Sequence, residues 1–120
     1  AYDSGTAWHS DLDAMADVAI AAGASLVFVC NPGNPTGEAV PQAAIAALAT
    51  RLAGRALLVV DGAYAEFADD AADAGLVHAH DNLVLLRTLS KAHALAAARI
   101  GSVIAAPDIV RSLQRCQAPY

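Results

Sequence analysis

The pattern of apolar and polar positions alternates between a helical and a strand period along the chain. Leu12, Met15, Ala16 and Ala19 recur at helical spacing. Ser10 with Asp13 resembles a capping box at the start of that helix, and Gly23 is placed to stop it. Residues 25–30, "SLVFVC", are a continuous β-branched and aromatic run, which predicts a strand buried on both faces. "NPGNPTG" is a loop by its Pro and Gly punctuation. Pro41 suits a first helical position, and Ile45, Leu48 and Leu52 line one face until Gly54. "ALLVV" at 56–60 predicts a second buried strand, "NLVLLR" at 82–87 a third and "RIGSVIAA" at 99–106 a fourth. Pro107 opens a last helix that Pro119 ends. There is no repeat, linker or low-complexity segment beyond an alanine bias.

Strands separated by helical segments imply right-handed crossovers and a parallel sheet with both faces covered. The fourth strand follows the third too closely for a crossover of about a dozen residues, so it is expected to run antiparallel beside it. The expected fold class is therefore α/β: a mostly parallel, doubly covered sheet of three parallel strands plus one antiparallel strand. In open sheets of this kind, ligands bind beyond the carboxyl ends of the strands. Asn34 follows the first strand, Asp61 ends the second and Lys91 follows the third. With neighbouring strands about 4.8 Å apart, the three side chains would emerge at one rim across roughly 10 Å.

Composition sharpens this picture. The chain has 120 residues, 57% of them hydrophobic and only 16% charged. A free-standing domain carries about 25% charged residues, so the shortage implies faces buried against further protein. The net charge of -5 argues against nucleic acid and anionic membrane, which need basic patches. No apolar stretch reaches the roughly 18 residues that span a bilayer, and no signal peptide opens the chain, so a cytoplasmic location is expected. Cys30 and Cys116 are far apart without metal spacing, and read as buried free thiols rather than a disulfide. His9, His78, His80 and His93 form no zinc pattern with them; His78 and His80 read as a solvated loop, and no metal is expected.

Lys91 is the one lysine among seven basic residues, facing twelve Asp and Glu. Burial and neighbouring cations can make a lysine amine neutral and nucleophilic near neutral pH, able to form an imine. A pyridoxal 5′-phosphate enzyme needs such a lysine, a carboxylate on the pyridine nitrogen, donors to the ring's phenolate oxygen, and hydroxyls with a cation for the phosphate. Lys91, Asp61, Tyr64 with Asn34, and Thr88, Ser90 and Arg99 are candidates in that order. Each also has a plainer reading. Asp61 fits a cap for "GAYAEF", Tyr64 a core aromatic and Asn34 a turn residue. Thr88 and Ser90 fit a turn, and Arg99 a surface ion pair. Their joint placement after successive strands, around the only lysine, favours the cofactor reading.

"NPGNPTG", "VVDGAYAEF" and "RTLSKAHALAAARIG" resemble the three central signatures of the fold-type I pyridoxal-phosphate aminotransferases. The "AEF" after the Asp–Tyr pair, the "RTLSK" segment and the closing "APY" most resemble the branch of that family acting on histidinol phosphate. The resemblance implies that Lys91 is the imine lysine and proton shuttle, and that Asp61 holds the pyridinium. It implies that Asn34 and Tyr64 contact the phenolate oxygen, and that Thr88, Ser90 and Arg99 bind the phosphate. The implied reaction is a ping-pong transfer of an amino group between a small-molecule amino donor, histidinol phosphate, and a 2-oxo acid, 2-oxoglutarate, in histidine biosynthesis, by a homodimer.

Such enzymes are much longer than this chain, so residues 1–120 are expected to form the middle of the large cofactor-binding domain, without its upstream part and the small domain. None of Arg51, Arg55, Arg87, Arg111 and Arg115 stands where the motif puts the substrate-gripping arginine. The family usually has glutamate where Gly62 stands, an aromatic at His93, and glycine at Ala94 or Ala97; Gly62 is expected to loosen the backbone beside Asp61. Threonine-phosphate decarboxylases and aromatic aminotransferases share these signatures, and some transcription regulators use the same domain to sense the cofactor. The isolated 120 residues are expected to be inactive and loosely packed.

Overall fold

The computed structural model describes residues 9–117. Four strands, β1 (Leu26–Cys30), β2 (Leu57–Asp61), β3 (Leu83–Thr88) and β4 (Gly101–Ala105), form one sheet in that spatial order. β1 and β3 both run parallel to β2, and β4 runs antiparallel to β3 with Thr88 opposite Gly101. This is the three-plus-one sheet that the strand spacing predicts. Only a 3₁₀ turn, Ala96–Ala98, separates β3 from β4.

The helices are α1 (Leu12–Ala21), α2 (Gln42–Leu52), α3 (Ala74–Ala79) and α4 (Pro107–Cys116), and a second 3₁₀ turn covers Ala65–Phe67. On one face of the sheet, Val27, Val29, Leu58, Val60, Leu83 and Leu85 meet Ala16 and Ala19 of α1, Ile45, Leu48 and Leu52 of α2, and Val77 of α3. Ile45 and Leu52 are fully buried and Leu48 is 2% exposed, so the predicted apolar stripe of α2 is its core face. Arg51 of α2 pairs with Asp13 and Asp17 of α1 and ties the two helices at the surface.

Four local expectations are corrected. The N-cap of α1 is Asp11, whose side chain accepts from the Ala14 N–H at 2.9 Å; Ser10 instead turns to Glu38. Pro41 stands one position ahead of α2, with φ -58° and ψ 144°. β1 is buried on one face only: Leu26 is 51% and Phe28 63% exposed, whereas Val59, opposite Phe28 on the same face, is 8% exposed. Nothing among the described residues covers the outer face at β1. Cys30 and Cys116 are free, as expected, but exposed rather than buried, because they lie on that outer face and in the last turn of α4. Pro119 and the "APY" segment at 118–120 lie outside the described residues. No helix among the described residues is long and apolar enough to cross a membrane.

Candidate active site

The site is built at the carboxyl ends of β1, β2 and β3. The loop after β1 is anchored by Asn31, which is 2% exposed. Its backbone N–H donates to the Asp61 carbonyl at 2.9 Å, extending the β1–β2 ladder. Its side-chain amide exchanges two bonds with the Val40 backbone, donating at 2.9 Å and accepting at 2.8 Å. Inside that clamp, Gly33 donates to the Glu38 carbonyl and Gly37 to the Gly33 carbonyl, both at 2.8 Å. A side chain at Gly33 would come within 2.9 Å of Thr36 Oγ1, which favours glycine there. The carboxylate of Glu38 accepts from both the hydroxyl and the backbone N–H of Ser10, at 2.6 and 2.8 Å. Burial raises the Glu38 pKa, but these two bonds and nearby His9 outweigh it, leaving the carboxyl below its ordinary value of 4.5.

The folded loop presents Asn34 to Tyr64: the Asn34 amide donates to the Tyr64 hydroxyl at 3.2 Å. Lys91 Nζ stands 5.5 Å from the centroid of the Tyr64 ring, within cation–π range. Asp61, half-buried at the end of β2, accepts the Ala63 N–H at 3.0 Å through one oxygen. The aspartate therefore does cap the following turn. No cation pairs with it among the described residues. Asn34, Asp61, Tyr64 and Lys91 line one cavity of about 340 Å³, with Cys30, Pro32 and Ala63 completing the wall. A larger hollow of about 950 Å³ lies elsewhere on the surface, and one of about 630 Å³ adjoins this cavity, sharing Pro32, Asn34 and Tyr64 with it; neither contains Asp61 or Lys91.

Thr88, Ser90 and Arg99 are not in that wall. The Thr88 hydroxyl accepts from the Ser90 N–H at 3.1 Å and donates to the Ile100 carbonyl at 3.4 Å. The Leu89 N–H reaches the same carbonyl at 3.2 Å, which brings Arg99's neighbour against the Thr88–Ser90 turn. Arg99 itself is exposed, left-handed at φ 53°, and donates to the Ala96 carbonyl at 3.1 Å. Lys91 is exposed too.

Gly62 does not loosen the turn. It is buried, and its N–H donates to the Leu86 carbonyl at 3.0 Å. The space a side chain would fill is taken by the guanidinium of Arg87. Asn31, Cys30 and Arg87 were not singled out as site residues from the sequence. An asparagine directly after a strand is a signal for the first; no local pattern marks the other two. His78 and His80 lie on and just after α3, and no group of three metal-ligating side chains occurs among the described residues.

The chain thus carries a mostly parallel α/β sheet with an amine, a carboxylate and a phenol–amide pair gathered at its carboxyl rim. The chain belongs to the aminotransferase class I and II family, which it matches over residues 1–120. It is 52% identical over 118 residues to a histidinol-phosphate aminotransferase of Xanthomonas campestris pv. campestris, covering 98% of this chain and 33% of that protein. It is 56% identical over 112 residues to one of Stenotrophomonas maltophilia, covering 93% and 31%. A crystal structure of histidinol-phosphate aminotransferase from Sinorhizobium meliloti in complex with pyridoxal-5′-phosphate superposes with a TM-score of 0.86 at 32% identity, covering 97% of this chain and 31% of that one. The chain thus spans about a third of the length of these relatives.

Proposed function

We propose that the protein is a pyridoxal 5′-phosphate-dependent aminotransferase of fold type I. Its amino donor is histidinol phosphate and its acceptor 2-oxoglutarate, which places it in histidine biosynthesis. The observation that carries this reading is the cavity that gathers Lys91, Asp61, Tyr64 and Asn34. The identity to named histidinol-phosphate aminotransferases supports the substrate assignment.

The donor set fits the cofactor. A half-buried carboxylate without a cationic partner suits a protonated ring nitrogen, and the Asn34–Tyr64 pair offers two polar groups to one oxygen. When bound, the cofactor supplies an electron sink for bond breaking at the amine-bearing carbon. Asp61 keeps the proton on the ring nitrogen. Tyr64 Oη and Asn34 Nδ2 donate to the phenolic oxygen. Lys91 Nζ anchors the cofactor and carries the proton to and from the substrate carbon. The Thr88 and Ser90 hydroxyls and the Arg99 guanidinium bind the phosphate. Arg99 must then release the Ala96 carbonyl, an exchange of a neutral acceptor for a charged, bidentate one.

The described residues form the central part of the large domain, and the protein acts in the cytoplasm as a homodimer. The bare outer face at Leu26 and Phe28 and the small charged fraction support burial against further protein. The test is glutamate release from histidinol phosphate with 2-oxoglutarate. In the full-length protein, activity with Lys91 in place and only background in Lys91→Ala are expected. Transamination that survives Lys91→Ala, or carbon dioxide release in place of transfer, would contradict the reading.

A further inference from the structure

We infer that Arg87 is a positioning residue for the cofactor rim. Its guanidinium, admitted by the missing side chain of Gly62, clamps the 62–72 segment and so sets Tyr64 against Asn34 and Lys91. The inference rests on the cofactor reading above.

The clamp is visible at both ends of the segment. Gly62 donates its N–H to the Leu86 carbonyl at 3.0 Å, which fixes the start of the segment to β3. Arg87, the next residue on β3, turns its side chain back over Gly62. A Cβ built on Gly62 would fall on Arg87 Nη1, and would come within 2.9 Å of its Cζ and of the Leu86 carbonyl oxygen. From there Nη2 donates to the carbonyl of Ala72, which is itself 2% exposed. Nη1 lies 3.4 Å from the Leu86 carbonyl. One guanidinium therefore touches the first and the last residue of the segment that carries Tyr64.

Two physical points make this more than surface charge. An arginine serving solubility keeps its head in water; this one is half-buried, with its head on backbone carbonyls. It has no carboxylate within ion-pair distance among the described residues, so the carbonyls and the space over Gly62 hold it. Glycine is also the residue least able to hold its own backbone angles. A rotation at Gly62 would swing Tyr64, and the charged group wedged beside Gly62 opposes that rotation. Charge-assisted bonds of this kind are stronger than neutral ones.

The test compares the unsubstituted protein with Arg87→Gln, Arg87→Lys, Gly62→Ala and the Gly62→Ala/Arg87→Gln double variant. Each is titrated with pyridoxal 5′-phosphate, the visible absorbance of the bound cofactor is followed against pH, and the same samples are melted. Tyr64→Phe marks the direction in which loss of the phenol moves the pH midpoint. Arg87→Gln and Gly62→Ala are each expected to move the midpoint in that direction and weaken cofactor binding about tenfold, one charge-assisted bond's worth. The double variant should be no weaker than the weaker single, because both substitutions remove one contact. Arg87→Lys should recover part of the loss; if Arg87→Gln does not fold, Arg87→Lys and Gly62→Ala carry the same comparison. An unmoved midpoint with only a lowered melting temperature would overturn the inference, as would additive losses in the double variant. A cofactor band that never forms in the unsubstituted protein removes the functional reading and the inference together. A normal band there with unaltered variants removes the inference alone.

Discussion

Asn31→Ala tests how the Asn34 loop is held. The side chain is 2% exposed and makes two bonds to one residue, to the Val40 N–H at 2.8 Å and the Val40 carbonyl at 2.9 Å. A hydrogen bond is worth about 1 kcal/mol net, and a buried partner left unpaired costs about 1–3 kcal/mol. Val40 is itself 8% exposed, so water reaches its freed groups poorly. The two bonds together give an expected loss of about 3 kcal/mol, a large share of a typical 5–15 kcal/mol stability. With a urea slope of about 2 kcal/mol/M, the unfolding midpoint should fall by about 1.5 M at unchanged slope. Urea unfolding followed by circular dichroism measures this directly. Because the same residue fixes the loop that presents Asn34, cofactor affinity should fall in the folded variant as well. A loss below about 1 kcal/mol would show that the loop is held by its other bonds and refute the clamp.

Ala94 has φ 53°, a left-handed conformation that an L-residue with a side chain adopts at a cost of about 1–2 kcal/mol. Ala94→Gly should therefore stabilise the protein by about 1 kcal/mol in the same unfolding measurement, after its extra unfolded-state freedom is counted. Glu38 has a lowered folded-state pKa, so its contribution is complete above its ordinary value of 4.5 and is lost as pH falls through the lowered value. Glu38→Gln should remove that acid-side slope from a stability–pH profile, and a slope unchanged in the variant would contradict the Ser10–Glu38 contact.

Much of the fold is legible because it is local. Continuous apolar runs mark all four strands, and the short connection after β3 is too brief for a crossover, which sets β4 antiparallel. The rim is legible for the same reason: once the strand order follows the chain, Asn34, Asp61 and Lys91 must share one edge. What escapes a linear reading depends on contacts distant in the chain. Ser10 looks like a cap until Glu38, far along the chain, claims its hydroxyl and N–H. Gly62 looks like a loosened backbone until Arg87 is seen to fill its space. Leu26 and Phe28 read as doubly buried because periodicity reports that a strand is apolar, not what covers each face. Thr88 and Arg99 carry the right donors, but here those donors meet the carbonyls of Ile100 and Ala96.

The central claim is that the carboxyl rim of this sheet holds pyridoxal 5′-phosphate on its one lysine. Incubating the protein with pyridoxal 5′-phosphate, reducing with borohydride and mapping the modified residue by mass spectrometry tests it most directly, with circular dichroism on the same sample to establish that it is folded. Selective modification of Lys91, beyond that of the amino terminus, is the predicted result. A folded protein without selective modification at Lys91 would contradict the claim.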